Sequence, residues 1–121
     1  TRYITIASTG NTTDFGNNDE SADWKGMMVV SSSVRAVYQR GGNTRYITIA
    51  STGNVTDFGE AEAMTDGDGA NNNVRGLFMG GDKNNINMIT IASTGDAADF
   101  GDLSAVRSGH GAVSNGNGGH Q

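Results

Sequence analysis

The chain has 121 residues, enough for one domain of ordinary size, with 19 glycines and neither proline nor cysteine. Its net charge is −5, and its eight lysines and arginines are spread along the chain, whereas a nucleic-acid-binding protein would need a basic face. The lack of cysteine excludes disulfide bonds and cysteine-ligated metals, and no apolar run approaches the roughly 20 residues needed to cross a bilayer.

Glycine and asparagine are both abundant, as is typical of chains that make many tight turns between short elements. A hydrophobic content of 35% leaves disorder as an alternative. The apolar residues, however, are concentrated in short runs rich in β-branched side chains. We therefore expect a folded, all-β chain.

A fourteen-residue phrase occurs three times, as YITIASTGNTTDFG, YITIASTGNVTDFG and MITIASTGDAADFG. The first two copies differ only where Thr12 is replaced by Val55. The copies begin 43 and then 42 positions apart, and a fixed period of this length is the signature of a repeat architecture. We predict a single repeat domain over residues 1–121, with repeats at about 1–43, 44–86 and 87–121, the last being incomplete.

Each phrase is predicted to contain a strand, a tight turn and a second strand. In the first copy, alternation predicts a strand over Thr1 to Thr9, followed by a turn at Thr9 to Asn11. Phe15 is the expected anchor against a neighbouring layer. The aspartate before it fits an Asx turn better than a catalytic acid, because it recurs once per repeat in equivalent surroundings. The equivalent residues are Asp14, Asp57 and Asp99, and Phe15, Phe58 and Phe100.

Two further strands are predicted between the phrases. The predicted segments are Gly26 to Ser32 and Val34 to Gln39, then Thr65 to Asn72 and Val74 to Met79, and finally Leu103 to Ser114 as the first strand of a further module. Four antiparallel strands in about 43 residues match the length of a β-propeller blade, so the chain would hold about 2.8 blades. A β-solenoid or a sandwich is the competing all-β architecture.

These features resemble a known repeat family. Strands that end in a glycine pair (Gly41-Gly42 and Gly80-Gly81), a following strand with an aromatic start at Tyr46, and an aromatic residue in the fourth strand resemble the kelch-type propeller repeat. Arg107 and His110 also lie where kelch repeats often carry arginine and histidine. The fourteen-residue phrase is most similar to tandem repeats of phage and marine-virus tail-fibre or virion-appendage proteins. The resemblance implies a kelch-like propeller in a structural protein, located in a virion or outside the cell.

The order of the strands predicts unpaired ends. The chain begins on the third strand of a blade and ends on the first, and blades of this kind do not bury their faces alone. We expect either a homo-oligomer whose copies close a ring or the remainder of a longer propeller chain.

Candidate ligand sites are few. Asp66 and Asp68, in a Gly-Asp-rich stretch, are candidate calcium ligands, although the stretch lacks the glutamate that closes an EF-hand loop. A glycan or host-surface ligand would suit asparagine-rich loops that carry aromatic residues. The candidate residues for such a ligand are Trp24, Tyr38, Asn71 and Phe78.

No constellation for catalysis is present in the sequence. There is no Gly-x-Ser-x-Gly motif, and the two histidines, His110 and His120, have no neighbouring ligand residues. We therefore expect a non-enzymatic structural or adhesive module without a cofactor, with a soluble glycan-binding lectin as the alternative.

Overall fold

A computed structural model describes residues 1–18 and 26–114, and in these segments every regular element is a β-strand. The expected all-β class is therefore confirmed. With no helix in either segment, the described residues contain no helical membrane span. The strands are β1 (Arg2–Tyr3), β2 (Thr13–Asp14), β3 (Met28–Ser31), β4 (Arg35–Thr48), β5 (Thr56–Met64), β6 (Asp68–Asn71), β7 (Arg75–Met79), β8 (Asn85–Thr90) and β9 (Ala98–Asp102).

The strands form three antiparallel sheets. The first sheet pairs β1 with β2, the second has the order β3-β4-β5, and the third has the order β6-β7-β8-β9. Every ladder joins strands that are consecutive in the chain, so each sheet is a meander. Backbone pairing between strands of different sheets is absent among the described residues.

The third sheet contains the four strands predicted for one period. The segment with almost no apolar residues, Thr65 to Asn72, does form a strand, β6. Its composition follows from packing, because a Cβ atom at Gly69 would overlap the carbonyl oxygen of Val29 in the second sheet. Glycine at this position permits the two backbones to approach closely.

The second sheet repeats the same four-strand path, although β4 is continuous over 14 residues. A straight strand of that length would extend about 46 Å. Instead, the amide of Ile49 donates to the carbonyl of Val34 at 2.8 Å, so the two ends of β4 are adjacent. The same bond, from Ile91 to Val74 at 2.9 Å, closes the hairpin of β7 and β8. β4 is therefore a hairpin, and its reversal lies at Gly41, where φ is 55°.

Two predicted strand boundaries are wrong. In the first phrase β1 ends at Tyr3, and the chain turns at once, because the amide of Ser8 bonds to the carbonyl of Thr5 at 3.3 Å. The same turn follows the equivalent strands in the other two copies. The predicted strand over Leu103 to Ser114 is also absent, because its contacts with β6 are made through the Asp68 carboxylate and the Ser114 hydroxyl and not through a backbone ladder.

The core lies between the second and third sheets. β3 packs across β6 and β7, and the side chain of Asn71 bonds to both backbone groups of Ser31, to its carbonyl at 2.5 Å and to its amide at 3.3 Å. Buried apolar side chains from both sheets fill the interface. They are Met28, Val30, Val37, Phe58, Met64, Phe78, Ile89 and Ile91.

Candidate functional site

The most regular feature of the structure is a contact between successive sheets. It joins two segments of the repeated phrase: the phrase loop (residues 6–12, 49–55 and 91–97) and the DFG edge (residues 14–17, 57–60 and 99–102). The phrase loop of the second sheet binds the DFG edge of the first. Gly53 donates its amide to Phe15 O at 2.7 Å, and Val55 donates its amide to Asn17 O at 3.0 Å. The amide of Asn17 donates in return to Asn54 Oδ1 at 2.9 Å.

The third sheet binds the second in the same way. Gly95 donates to Phe58 O and Ala97 donates to Glu60 O, both at 2.7 Å. The amide of Glu60 donates to Asp96 Oδ1 at 3.0 Å. Asparagine and aspartate are interchangeable here because both supply a side-chain oxygen that accepts. We call this three-bond contact the clasp; it occurs twice, between equivalent residues.

The phenylalanine of the DFG edge packs where the clasp closes. Phe58 is buried in the core, as the sequence predicts, and its ring meets Tyr46 edge-on at 6.0 Å between centroids. Phe15 meets Tyr3 in the same arrangement at 6.1 Å. The predicted Asx turn is confirmed at Asp99, whose carboxylate accepts from the amide of Gly101 at 2.9 Å. Asp57 instead pairs with the guanidinium of Arg45.

A second cross-sheet contact uses Arg35. Its guanidinium donates to the carbonyl oxygens of Ile91 and Ala92, at 3.3 and 2.8 Å, and lies 4.5 Å from the centre of the Tyr46 ring. Arginine suits this place because its planar group can stack on a ring while it donates at its edge. Arg35 therefore fixes the start of the third sheet's phrase loop against the second sheet.

Glu62, in β5 of the second sheet, makes a further set of contacts with the third sheet. Its carboxylate accepts from Lys83 Nζ at 2.6 Å. Its backbone carbonyl accepts from the amide groups of two buried side chains, Gln39 at 2.7 Å and Asn87 at 3.1 Å. The Asn87 amide therefore joins the third sheet to the second, whereas the Gln39 amide bonds within the second sheet.

Burial of equivalent residues rises from the first sheet to the third on one face. The isoleucine that opens the phrase loop is 96% exposed at Ile6, 44% exposed at Ile49 and 0% exposed at Ile91. On the other face, Phe58 is 2% exposed beneath the third sheet, whereas Phe100, on the outer side of the third sheet, is 53% exposed. The surroundings of each copy are therefore set by whether another sheet stands beside it.

An open groove marks the outer face of the third sheet, beside the exposed Phe100. Its volume is about 410 Å³, and Arg75, Leu77 and Val113 are among the residues that line it. Sequence reasoning missed Arg75 and Phe100 as surface features. The sequence feature that could have identified them is the repeat, in which Arg75 is equivalent to Arg35 and Phe100 is equivalent to Phe58.

The two calcium candidates are not brought into one ligand set. The Asp68 carboxylate accepts backbone amides with both oxygens, from Gly69 at 2.8 Å and from Ala112 at 2.6 Å. Asp66 adopts a positive φ of 61° and its carbonyl accepts from Gly109. Residues 1–18 and 26–114 contain no group of three His, Cys, Asp or Glu side chains able to hold a metal ion.

The three described candidates for a sugar ligand, Tyr38, Asn71 and Phe78, are also dispersed. Trp24 lies outside the described residues, as does His120. Phe78 is fully buried, so its ring is part of the core and is not accessible for stacking on a sugar. Asn71 is engaged with Ser31 across the sheets. Tyr38 is half-buried beside Val29 and Ile47 at a small apolar cavity of about 150 Å³.

His110 packs against the turn between β7 and β8. A Cβ atom at Gly80 would overlap its ring, and Gly80 has a φ of 77°. Neither ring nitrogen has a hydrogen-bond partner among the described residues. The histidine therefore fills space behind a glycine turn, next to Asp66 and Gly67.

Comparison with known proteins gives no match to a family model, to a curated protein or to a solved structure. Functional inference for this chain therefore rests on its internal repetition and on the contacts described above.

Proposed function

We propose that the chain is a segment of a kelch-like β-propeller that serves as a non-enzymatic structural and adhesive module of a virion appendage such as a tail fibre. The observation that carries the proposal is the clasp, which occurs twice between equivalent residues. An identical contact between successive sheets implies the same rigid-body step from each sheet to the next. Repetition of one step about an axis generates a ring of blades.

The pairing pattern favours a propeller over the other two all-β architectures. In a β-solenoid, successive coils pair through parallel backbone ladders, whereas the ladders here lie within a single sheet. A sandwich packs two sheets over one core and has no need of a third sheet in the same relation. The first sheet already stands against the second sheet as the second stands against the third.

A structural role is supported by what the repeated polar side chains do. Asn54, Asp96 and Arg35 all bond to backbone groups of a neighbouring sheet. Their recurrence is explained by the assembly of sheets, with no need for a reaction. Propeller loops gather at the ends of the channel, where they are available to contact a host surface.

A soluble glycan-binding lectin is the second candidate, and the open groove of the third sheet favours it. Phe100 offers an exposed ring, while Asn72 and Arg75 offer hydrogen-bond donors and acceptors at the same groove. Aromatic faces with adjacent polar groups are suited to sugars. On the second sheet, however, the equivalent face is covered by the next sheet, so the structural role explains the same residues.

Immunogold labelling tests the structural proposal. Antibodies raised against the 121-residue chain would be applied to virus particles purified from the sample in which its coding sequence occurs. We expect gold on fibres or other appendages, and no gold when the serum is first absorbed with the chain. Particles that stay unlabelled while the antibody detects the chain free in solution would contradict the proposal.

A glycan array separates the two candidates. We expect the chain to show no selective sugar binding that depends on the groove. Selective binding that falls at least about tenfold in Phe100→Ala, with no loss in the control Val34→Ala, would favour the lectin. Val34 is a suitable control because it is also exposed but lies in the turn between β3 and β4.

A further inference from the structure

We propose that a second copy of this chain docks head to tail on the third sheet, with the phrase loop of its first sheet clasping the DFG edge of residues 99–102. The inference rests on the propeller arrangement proposed above. The partner is the chain itself, and the two surfaces that meet are the outer faces of the first and third sheets.

The outer faces of the first and third sheets carry the two halves of a clasp. Gly10, Asn11 and Thr12 are exposed and occupy the places of Gly53, Asn54 and Val55 in the phrase. On the third sheet, Phe100 and Asp102 occupy the places of Phe58 and Glu60.

Superposition of the clasp therefore predicts three hydrogen bonds between copies. The amides of Gly10 and Thr12 donate to the carbonyl oxygens of Phe100 and Asp102. The amide of Asp102 donates to the side-chain oxygen of Asn11. These are the same three bonds that the two clasps inside the chain make.

The apolar surfaces are complementary as well. Ile6 is almost fully exposed on the first sheet, whereas Ile91 in the same place is buried under the second sheet. The third sheet offers a groove lined by Leu77 and Phe100. Transfer of Ile6 into this groove would remove two exposed apolar surfaces from water at once.

Arg75 supplies a further match. It has the place in the third sheet that Arg35 has in the second, and it is exposed at the edge of the groove. Arg35 binds the carbonyl oxygens of Ile91 and Ala92. By equivalence, Arg75 would bind those of Ile6 and Ala7 in the second copy.

The last described segment leaves room for this docking. Ala112 bonds to Asp68, and the hydroxyl of Ser114 bonds to the carbonyl of Asn71. Asn71 makes the equivalent contact with Ser31, so residues 112–114 lie where the first strand of a following blade would lie. The second copy would add the third and fourth strands outside it.

Residues 1–18 and 26–114 of the two copies supply no second strand to this composite blade. We therefore expect the contact between copies to be weaker than those inside the chain and to depend on concentration. The contact is heterologous, since different surfaces meet, and repetition of a rotation about the propeller axis closes such contacts into a ring.

Disulfide trapping tests the docking directly, because the chain has no cysteine of its own. The double variant Thr12→Cys, Asp102→Cys places one thiol on each half of the proposed clasp between copies. The matched control is Ala97→Cys, Glu60→Cys, at the equivalent positions of a clasp inside the chain, where the Ala97 amide is 2.7 Å from Glu60 O. Residues joined by such a backbone bond lie within the Cα separation that a disulfide allows.

We expect the Thr12, Asp102 variant to form covalent dimers and larger species under mild oxidation, and the control to form an internal bond in the monomer. Covalent oligomers from the first variant alone would also support docking between copies. An internal bond in the control with only monomers from the first variant would overturn the docking but leave the propeller proposal standing. Failure of both to cross-link would overturn both proposals.

Sedimentation equilibrium of the unmodified chain gives a second readout. We expect the average mass to rise with concentration, and Ile6→Asp to weaken association by at least about tenfold, since it places a charge against an apolar groove. Val34→Asp is the control, because Val34 is also an exposed apolar residue but lies on neither docking face. A monomer at all concentrations, or equal effects of the two variants, would overturn the proposal.

Discussion

The glycine of the DFG edge shows how one residue type acquires different roles in different copies. A Cβ atom at Gly59 would overlap the carbonyl oxygen of Gly95, because the clasp brings the two backbones together. At Gly101 a Cβ atom would meet nothing within 4 Å. The φ angles are similar, 150° and 140°, so the backbone strain of a substitution is similar at both positions.

Comparison of Gly59→Ala with Gly101→Ala therefore isolates the clasp. We expect Gly101→Ala to lower the free energy of unfolding by about 1–3 kcal/mol through backbone strain alone. Gly59→Ala should cost about 1–3 kcal/mol more, because the neighbouring sheet must move away. Urea-induced unfolding in dilute solution, where copies do not associate, measures both changes. Equal losses would mean that the second and third sheets are not clasped in solution.

The structural roles of single residues differ in how well the sequence predicts them. The anchoring role of Phe58 and the Asx turn of Asp99 follow from residue type and local spacing. The roles of Asn54 and Asp96 do not, because each accepts a hydrogen bond from an amide 37 or 36 positions away. Only the packing of two periods brings those groups together.

At the scale of the element, β4 carries the clearest local signal. The predicted glycine pair lies where β4 folds back, and Gly41 has the positive φ that a tight hairpin requires. Space is available around it, since a Cβ atom at Gly41 would meet nothing within 4 Å. The conformation of the backbone is therefore what restricts this position to residues that tolerate a positive φ.

Replacement of Gly41 tests the hairpin. Gly41→Val should lower the free energy of unfolding by about 1–2 kcal/mol, because a β-branched side chain disfavours positive φ. Gly41→Asn should cost clearly less, because asparagine tolerates this conformation. Thermal or urea unfolding measures the difference. If valine were tolerated as well as asparagine, β4 would not turn at Gly41.

The elements that sequence reasoning misplaced share one cause. The residues after Tyr3 continue an alternating pattern, yet β1 ends at Tyr3 and the chain turns into the phrase loop. An alternating sequence pattern shows only that successive side chains face different environments. A loop that packs one side against a neighbouring sheet produces the same pattern as a strand does. The segment over Leu103 to Ser114 has a strand-like pattern but forms no backbone ladder with the described strands.

At the scale of the whole molecule, the three sheets form a graded series. The first sheet has two strands and exposes its phrase loop, the second is partly covered, and the third packs against a complete neighbour. Stability in repeat proteins comes from contacts between nearest neighbours. Protection from solvent should therefore increase from the first phrase loop to the third.

Amide hydrogen exchange measured by NMR tests this gradient in dilute solution, where association is minimal. We expect the amides of Gly95 and Ala97 to exchange at least about a hundredfold more slowly than those of Gly10 and Thr12. Gly53 and Val55 should be intermediate. Equal rates in all three copies would contradict the graded packing.

The sequence by itself determined the all-β class, the period, the four strands of each complete repeat and the hairpin glycines, since these depend on residues close together in the chain. The tertiary structure alone decided where the phrase turns, that the clasp joins one repeat to the next, and that Arg75 and Phe100 stand open while Arg35 and Phe58 do not. The physical reason is that near-identical phrases have near-identical local preferences. Their exposure depends on the presence of a neighbouring sheet, which no single copy of the phrase encodes.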